Sequence, residues 1–150
     1  FTDVNIRDLV QKIRDAGINV IGNYIFGLPE DNLDTMQDTL DLAMDLNCEF
    51  ANFYSTMAYP GSRLYLDALL HNWELPKTYV GYSQHSYETQ PLPTKHISAA
   101  DVLRFRDNAF NEYYQNENYL SFIKKKFGQD TYDDIIQMTK HTLKRRLLED

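Results

Sequence analysis

The sequence predicts an α/β fold in which two parallel strands carry helices and an α-helical tail follows. Three observations predict it. Apolar periodicity over the first seventy residues reads helix, strand, helix, strand, helix, with short connections that imply a parallel sheet joined by right-handed crossovers. The two strand segments, about 18–26 and 50–57, are short apolar runs of β-branched and aromatic residues. From Ser98 onward the apolar spacing is helical.

Each element has its own signal. Ile6, Leu9, Val10 and Ile13 recur at helical spacing and Gly17 follows as a stop, which predicts a helix over about 3–16. Asn19 to Phe26 is nearly all apolar, as expected of a strand buried on both faces. Gly27-Leu28-Pro29-Glu30-Asp31 reads as a turn, because Pro29 bars helical geometry at Leu28. Asp31 with Asp34 has the pattern of a capping box opening a helix over about 32–46. Leu33, Met36, Leu40, Ala43, Met44 and Asn47 form its apolar stripe, and Asp34, Asp38, Asp41 and Asp45 its solvated face. After the second strand, Tyr59-Pro60-Gly61-Ser62 is a turn, with Ser62 an N-cap for a helix to about Leu70.

Residues 71–97 have no period. Trp73, Tyr79, Tyr82 and Tyr87 stand there among prolines and polar residues, as aromatic anchors of an extended segment lying on a larger body. Ser98 and Asp101 form a capping box before a stripe of Val102, Phe105, Ala109 and Tyr113. A short helix over Tyr119–Phe127 ends at Gly128, and Asp130 caps a last helix carrying Tyr132, Ile135, Ile136, Thr139, Leu143 and Leu147. The expected organisation is thus three parts, 1–70, 71–97 and 98–150.

Composition excludes several functions. Hydrophobic residues make up 43% and charged residues 25% of the 150, which is globular and not disordered. No apolar run is long enough to span a bilayer. The net charge of −7 argues against a nucleic-acid partner, since phosphate neutralisation needs clustered cations. The basic runs 124–126 and 140–146 read as compensation of helix dipoles on a solvated face. Cys48 is the single cysteine, so no intrachain disulfide forms and a reducing, cytoplasmic setting is expected. One cysteine also cannot supply a cysteine-ligated zinc or iron–sulfur site, and Cys48 itself reads as a buried inert thiol. The chain opens at Phe1 without a signal-peptide pattern, as a piece of a longer protein would.

Ligands of parallel α/β folds bind at the carboxyl ends of the strands. Read alternately, Asn23, Ile25 and Gly27 face one side of the first strand, and Tyr24 and Phe26 the other. A glycine at the strand end permits close backbone approach by a ligand. A small-molecule site is therefore expected near 27–30 and 57–61. Phosphate loops do not fit: Leu28-Pro29 stand where a Walker A motif needs Lys and Ser or Thr, and a dinucleotide fingerprint lacks its third glycine. His71, His85, His96 and His141 show no metal-ligand spacing and read as surface or hydrogen-bonding histidines.

Tyr24-Ile-Phe-Gly-Leu-Pro-Glu-Asp31, then Leu33-Asp-Thr-Met-Gln-Asp-Thr39, then Tyr59-Pro-Gly-Ser-Arg-Leu-Tyr65 resembles the second half of the core of radical S-adenosylmethionine (SAM) enzymes. It is most similar to the subgroup with an N-terminal cobalamin-binding domain. The likeness covers about residues 1–70, and 98–147 resembles that subgroup's helical tail less specifically. The resemblance implies the C-terminal fragment of a partial (β/α) TIM-like barrel. It implies an enzyme whose four-iron four-sulfur cluster reduces SAM to a 5′-deoxyadenosyl radical, with cobalamin left open as a further cofactor. The cluster's three-cysteine loop is not in this sequence, so the fragment alone is expected to be inactive and to form one wall of the SAM and substrate cavity. By resemblance, Ile25 touches the SAM adenine, Gly27 lets the strand end turn, Glu30 braces the loop, and Tyr54, Ser55 and Thr56 approach the adenine edge. Asn23 stands where the family motif has a glycine.

Two other readings stay open on the residues alone. They are a non-catalytic binding or interaction domain and a nucleotide-binding α/β domain. A two-stranded fragment would also leave a strand edge bare, so self-association is expected unless residues 71–97 or the tail fold back over the gap.

Overall fold

The computed structural model describes residues 4–149. Two strands, β1 (Ile21–Phe26) and β2 (Phe50–Ser55), pair in parallel from Ile21 opposite Phe50 to Phe26 opposite Ser55. The helices are α1 (Ile6–Asp15), α2 (Leu33–Leu46), α3 (Arg63–Leu70), α4 (Ala99–Tyr114), α5 (Glu117–Phe127) and α6 (Gln129–Met138). The protein is thus mixed α/β, with the predicted elements in the predicted order. Position 3 of the predicted first helix lies outside the described residues. Among the described residues no helix is long and apolar enough to cross a membrane.

Capping chemistry sets the helix starts. Asn5 accepts from the amides of Arg7 and Asp8 at α1, and Ser98 accepts from that of Asp101 at α4. Three expectations need correction here. The capping box of α2 is Asn32 with Thr35, not Asp31 with Asp34, because the Asp31 carboxylate is engaged by the preceding turn. Asn116 caps α5 and starts it two residues before Tyr119. Gly128, at φ +91°, separates α5 from α6, so Asp130 lies in the first turn of α6 and is not its cap.

The sheet has one covered face. Tyr24 and Phe26 from β1 and Ala51, Phe53 and Ser55 from β2 are buried under α2, α4 and α5. The rings of Tyr24 and Phe26 stack on Phe53 at 5.4 and 5.9 Å between centroids, and Tyr113 meets Phe53 edge-on at 5.5 Å. Met36, Leu40 and Ala43 of α2 and Tyr114, Tyr119 and Ile123 of α4 and α5 complete this core. The first strand is therefore not buried on both faces, as its apolar run predicts. Ile21 and Ile25 are 58% and 51% exposed, since every helix that reaches the sheet packs on the opposite side.

The outer edge of β2 is closed without a third strand. Pairing parity leaves the amides and carbonyls of Ala51, Phe53 and Ser55 pointing away from β1. The Tyr114 hydroxyl donates to the Ala51 carbonyl at 2.6 Å and accepts from the Ala51 amide at 3.0 Å. Arg106 Nε donates to the Phe53 carbonyl at 2.7 Å. The Gln84 side chain takes both groups of Ser55, accepting from its amide at 3.0 Å and donating to its carbonyl at 2.8 Å. Below the sheet, Glu49 ties the layers together. It accepts from Lys126 of α5 at 2.6 Å, from Arg14 of α1 at 3.2 Å and from the Val20 amide at 2.9 Å. Burial pushes its carboxyl up, but the Lys126, backbone and Arg14 hydrogen bonds outweigh that and hold it down at about 2.

Residues 71–97 hold on by two of the four predicted aromatics and by further anchors: Trp73 packs on the cluster of Ala58, Ala68 and Leu92, and Tyr82 stacks on Tyr59 at 5.8 Å. Tyr79 is 87% exposed and Tyr87 is exposed, whereas Thr89, Pro91 and Leu92 are buried. The Leu92 amide bonds the Thr56 carbonyl, and a 3-10 turn spans Tyr79–Tyr82. The last helix also stops earlier than predicted, at Met138, so Leu143 and Leu147 are not on it. Beyond it the chain returns to α4, where the buried guanidinium of Arg145 grips Asp107 through Nε and Nη2, both at 2.8 Å. That buried pair requires the turn back.

Candidate functional site

The carboxyl ends of β1 and β2 lie side by side, and the two predicted turns leave from them. The first turn is organised by Asp31. Its carboxylate accepts from the amides of Gly27 at 3.0 Å and Leu28 at 2.8 Å, and from the Thr35 hydroxyl at 3.0 Å. Such a loop, in which one Asx side chain gathers two successive amides, is locally rigid. The bracing carboxylate is thus Asp31. Glu30 is exposed and reaches Lys95, and the Lys95 amide bonds the Pro29 carbonyl, so this turn is tied to the 71–97 segment.

Gly27 meets two demands at once. Its φ is +82°, a conformation that costs a β-branched residue strain. A Cβ built there would lie 2.5 Å from Val102 Cγ1 of α4. The close approach at Gly27 is therefore made by the protein's own helix, on the covered side of the sheet.

The neighbouring strand end is similarly committed. Ser55 and Thr56 are buried. The Ser55 hydroxyl donates to Gln84, and the Thr56 hydroxyl donates to the Phe26 carbonyl at 3.0 Å. Their side chains hold β2 to its surroundings. Asn23, Ile25 and Tyr54 are placed differently. They stand on the open face, Ile25 opposite Tyr54 and Asn23 opposite Asn52. The amide of Asn52 donates to Asn23 Oδ1 at 3.0 Å.

The structure thus divides the seven predicted residues. Asn23, Ile25 and Tyr54 form one contiguous surface, Glu30 lies above it on the turn, and Gly27, Ser55 and Thr56 support the strand ends from within. Sequence reasoning missed Asn52 as the partner of Asn23. Its signal was available, because a parallel register pairs the two segments at equal distance from their ends. Asp31 was legible only as a cap.

This surface can present an apolar edge, an aromatic ring and two amides to a flat ligand. Among the described residues no group of three His, Cys, Asp or Glu side chains could hold a metal ion, and Cys48 is buried on the covered side, its Sγ 4.0 Å from the Tyr24 hydroxyl.

No family model matches the chain. A protein of Pyrococcus horikoshii named an uncharacterized methyltransferase is 23% identical over 107 residues. The match takes in 71% of this chain and 23% of that relative, so the chain spans under a quarter of the relative's length.

Proposed function

We propose that this chain is the C-terminal part of the barrel of a radical SAM enzyme, and that its open sheet face forms one wall of the SAM site. The observation that carries the reading is the juxtaposition of Ile25 and Tyr54 on a bare face beside two strand-end turns. A half-barrel has this construction: helices cover the outside of the parallel strands, and side chains of the other face line a cavity. The sequence likeness of 24–31 and 59–65 supports the reading, and so does the relative's name, which favours methyl transfer over ring closure or rearrangement.

The residues present fit the adenine end of SAM. Ile25 offers an apolar contact to the ring, Tyr54 an aromatic plane, and Asn23 and Asn52 hydrogen-bonding edges. Asp31 keeps the turn above them in one shape. When bound, SAM supplies the methyl or 5′-deoxyadenosyl group. The cluster does not fit this chain, whose donor set lacks the needed thiolates, and it belongs to the remainder of the longer protein.

Ile25→Asp in the full-length protein tests the assignment. The site is half exposed, so the fold should tolerate the change, while a carboxylate against the adenine should weaken SAM binding at least tenfold with the iron content unchanged. Unaltered SAM affinity would remove Ile25 from the site. Absence of both 5′-deoxyadenosine and methylated product from the anaerobically reconstituted wild type would remove the radical SAM reading.

A further inference from the structure

A cleft of about 630 Å³ lies along the sealed edge of β2, away from the strand-end turns. That volume suits a drug-sized molecule. Phe50, Phe110, Met138 and Leu143 give it apolar walls, and Asn108 and Asn111 of α4 stand among its polar groups. His85, Arg106 and Asp107 line the same cleft.

The charges there do not balance. Arg106 and Arg145 are 3% and 2% exposed, and Asp107 is their shared carboxylate. Arg145 is satisfied: it donates to Asp107, to the carbonyls of Ser86 and Gln84 and to the Thr89 hydroxyl. Arg106 is not. Of its five N–H groups, one goes to Phe53, one to Asp107 and one to His85 Nε2 at 3.1 Å, which leaves two. A guanidinium only donates, so His85 Nε2 accepts and that imidazole is neutral, with its proton on Nδ1. Burial and the neighbouring Arg106 and Arg145 push the His85 pKa down, in keeping with that state. The cluster of two buried cations and one anion therefore carries a net positive charge among the described residues, in a chain of net charge −7. A buried cation without a counter-ion is costly.

We propose that this cleft binds a small organic anion with an aromatic or apolar body. Its carboxylate or phosphate accepts from the free N–H groups of Arg106, which His85 holds in place from the side, and its body lies along Phe50, Phe110 and Met138. Anion and apolar wall are both required, so neither inorganic phosphate nor a neutral aromatic compound should suffice. The cleft shares Asn52 and Tyr54 with the open sheet face, but its anion-binding group, Arg106, has no part in the SAM reading, so a change at Arg106 tests the two separately.

Calorimetric titration of the full chain with 2-naphthoate, 2-naphthamide and inorganic phosphate tests the proposal. Naphthoate should bind at least tenfold more tightly than either of the others. Arg106→Met should abolish that preference. Because Arg106 also serves the Phe53 carbonyl and this variant can unfold, Asn108→Trp, on the exposed side of α4, provides a second test by filling the mouth of the cleft. It should leave thermal stability unchanged and lower naphthoate affinity at least tenfold. Equal binding of naphthoate and naphthamide, or wild-type naphthoate affinity in a folded Asn108→Trp, would overturn the proposal.

Discussion

The two free edges of the sheet have the same backbone chemistry and opposite fates. At β2 the outward amides and carbonyls are met by Tyr114, Arg106 and Gln84, three side chains drawn from α4 and the 71–97 segment. At β1 the outward groups of Ile21, Asn23 and Ile25 have no such partners among the described residues, and the side chains around them are apolar or uncharged. The faces differ in the same way, one buried under helices and one bare. An edge closed by its own side chains is a finished surface, whereas an open edge beside exposed isoleucines is a place for another strand or a ligand. Among the described residues, β1 is the sheet edge that offers unpaired backbone groups to another strand.

Neighbouring residues on the two faces should respond most differently. Phe26 is fully buried, and Phe26→Ala should cost about 4 kcal/mol by urea denaturation. Ile25→Ala, one residue away on the open face, should cost under about 1 kcal/mol. Similar losses would mean that the open face is covered in solution. The base of the sheet gives the next effect. Glu49→Gln should cost about 3 kcal/mol, since it strips Lys126 and Arg14 of a buried partner.

The acid response follows from the same residue. The folded Glu49 carboxyl lies at about 2 against an ordinary 4.5, so the stability it contributes is complete above pH 4.5 and is lost as pH falls towards 2. The wild type should lose stability across that window, and Glu49→Gln should lose less of it.

The edges differ by smaller amounts. Tyr114→Phe leaves the Ala51 amide and carbonyl buried without partners and should cost about 2 kcal/mol. Asn23→Ala at the open side removes an exposed side-chain bond and should cost about 0.5 kcal/mol or less. Hydrogen exchange offers the finest comparison, with the amides of Ala51 and Ser55 protected and those of Ile21, Asn23 and Ile25 exchanging faster. Equal protection at both edges would show that β1 has a partner in solution.

Local signals determined the order and type of the elements. Helical spacing in 6–13, the apolar runs before Gly27 and Tyr59, and caps such as Ser62 and Ser98 act within a few residues, so the chain displays them directly. The candidate site was legible to the same range: a glycine turn at a strand end marked the neighbourhood of Ile25. What tertiary structure decided depends on partners 20 to 70 residues away. An apolar run cannot announce whether one or both of its faces are covered, so the exposure of Ile25 came only with the helices packed opposite it. Nothing local distinguishes Gln84, Arg106 or Tyr114 as edge partners, since each is an ordinary polar or aromatic residue until β2 lies against it. The pairing of Arg145 with Asp107 joins positions 38 residues apart, and the drive to satisfy that buried charge ends the last helix before its apolar spacing does.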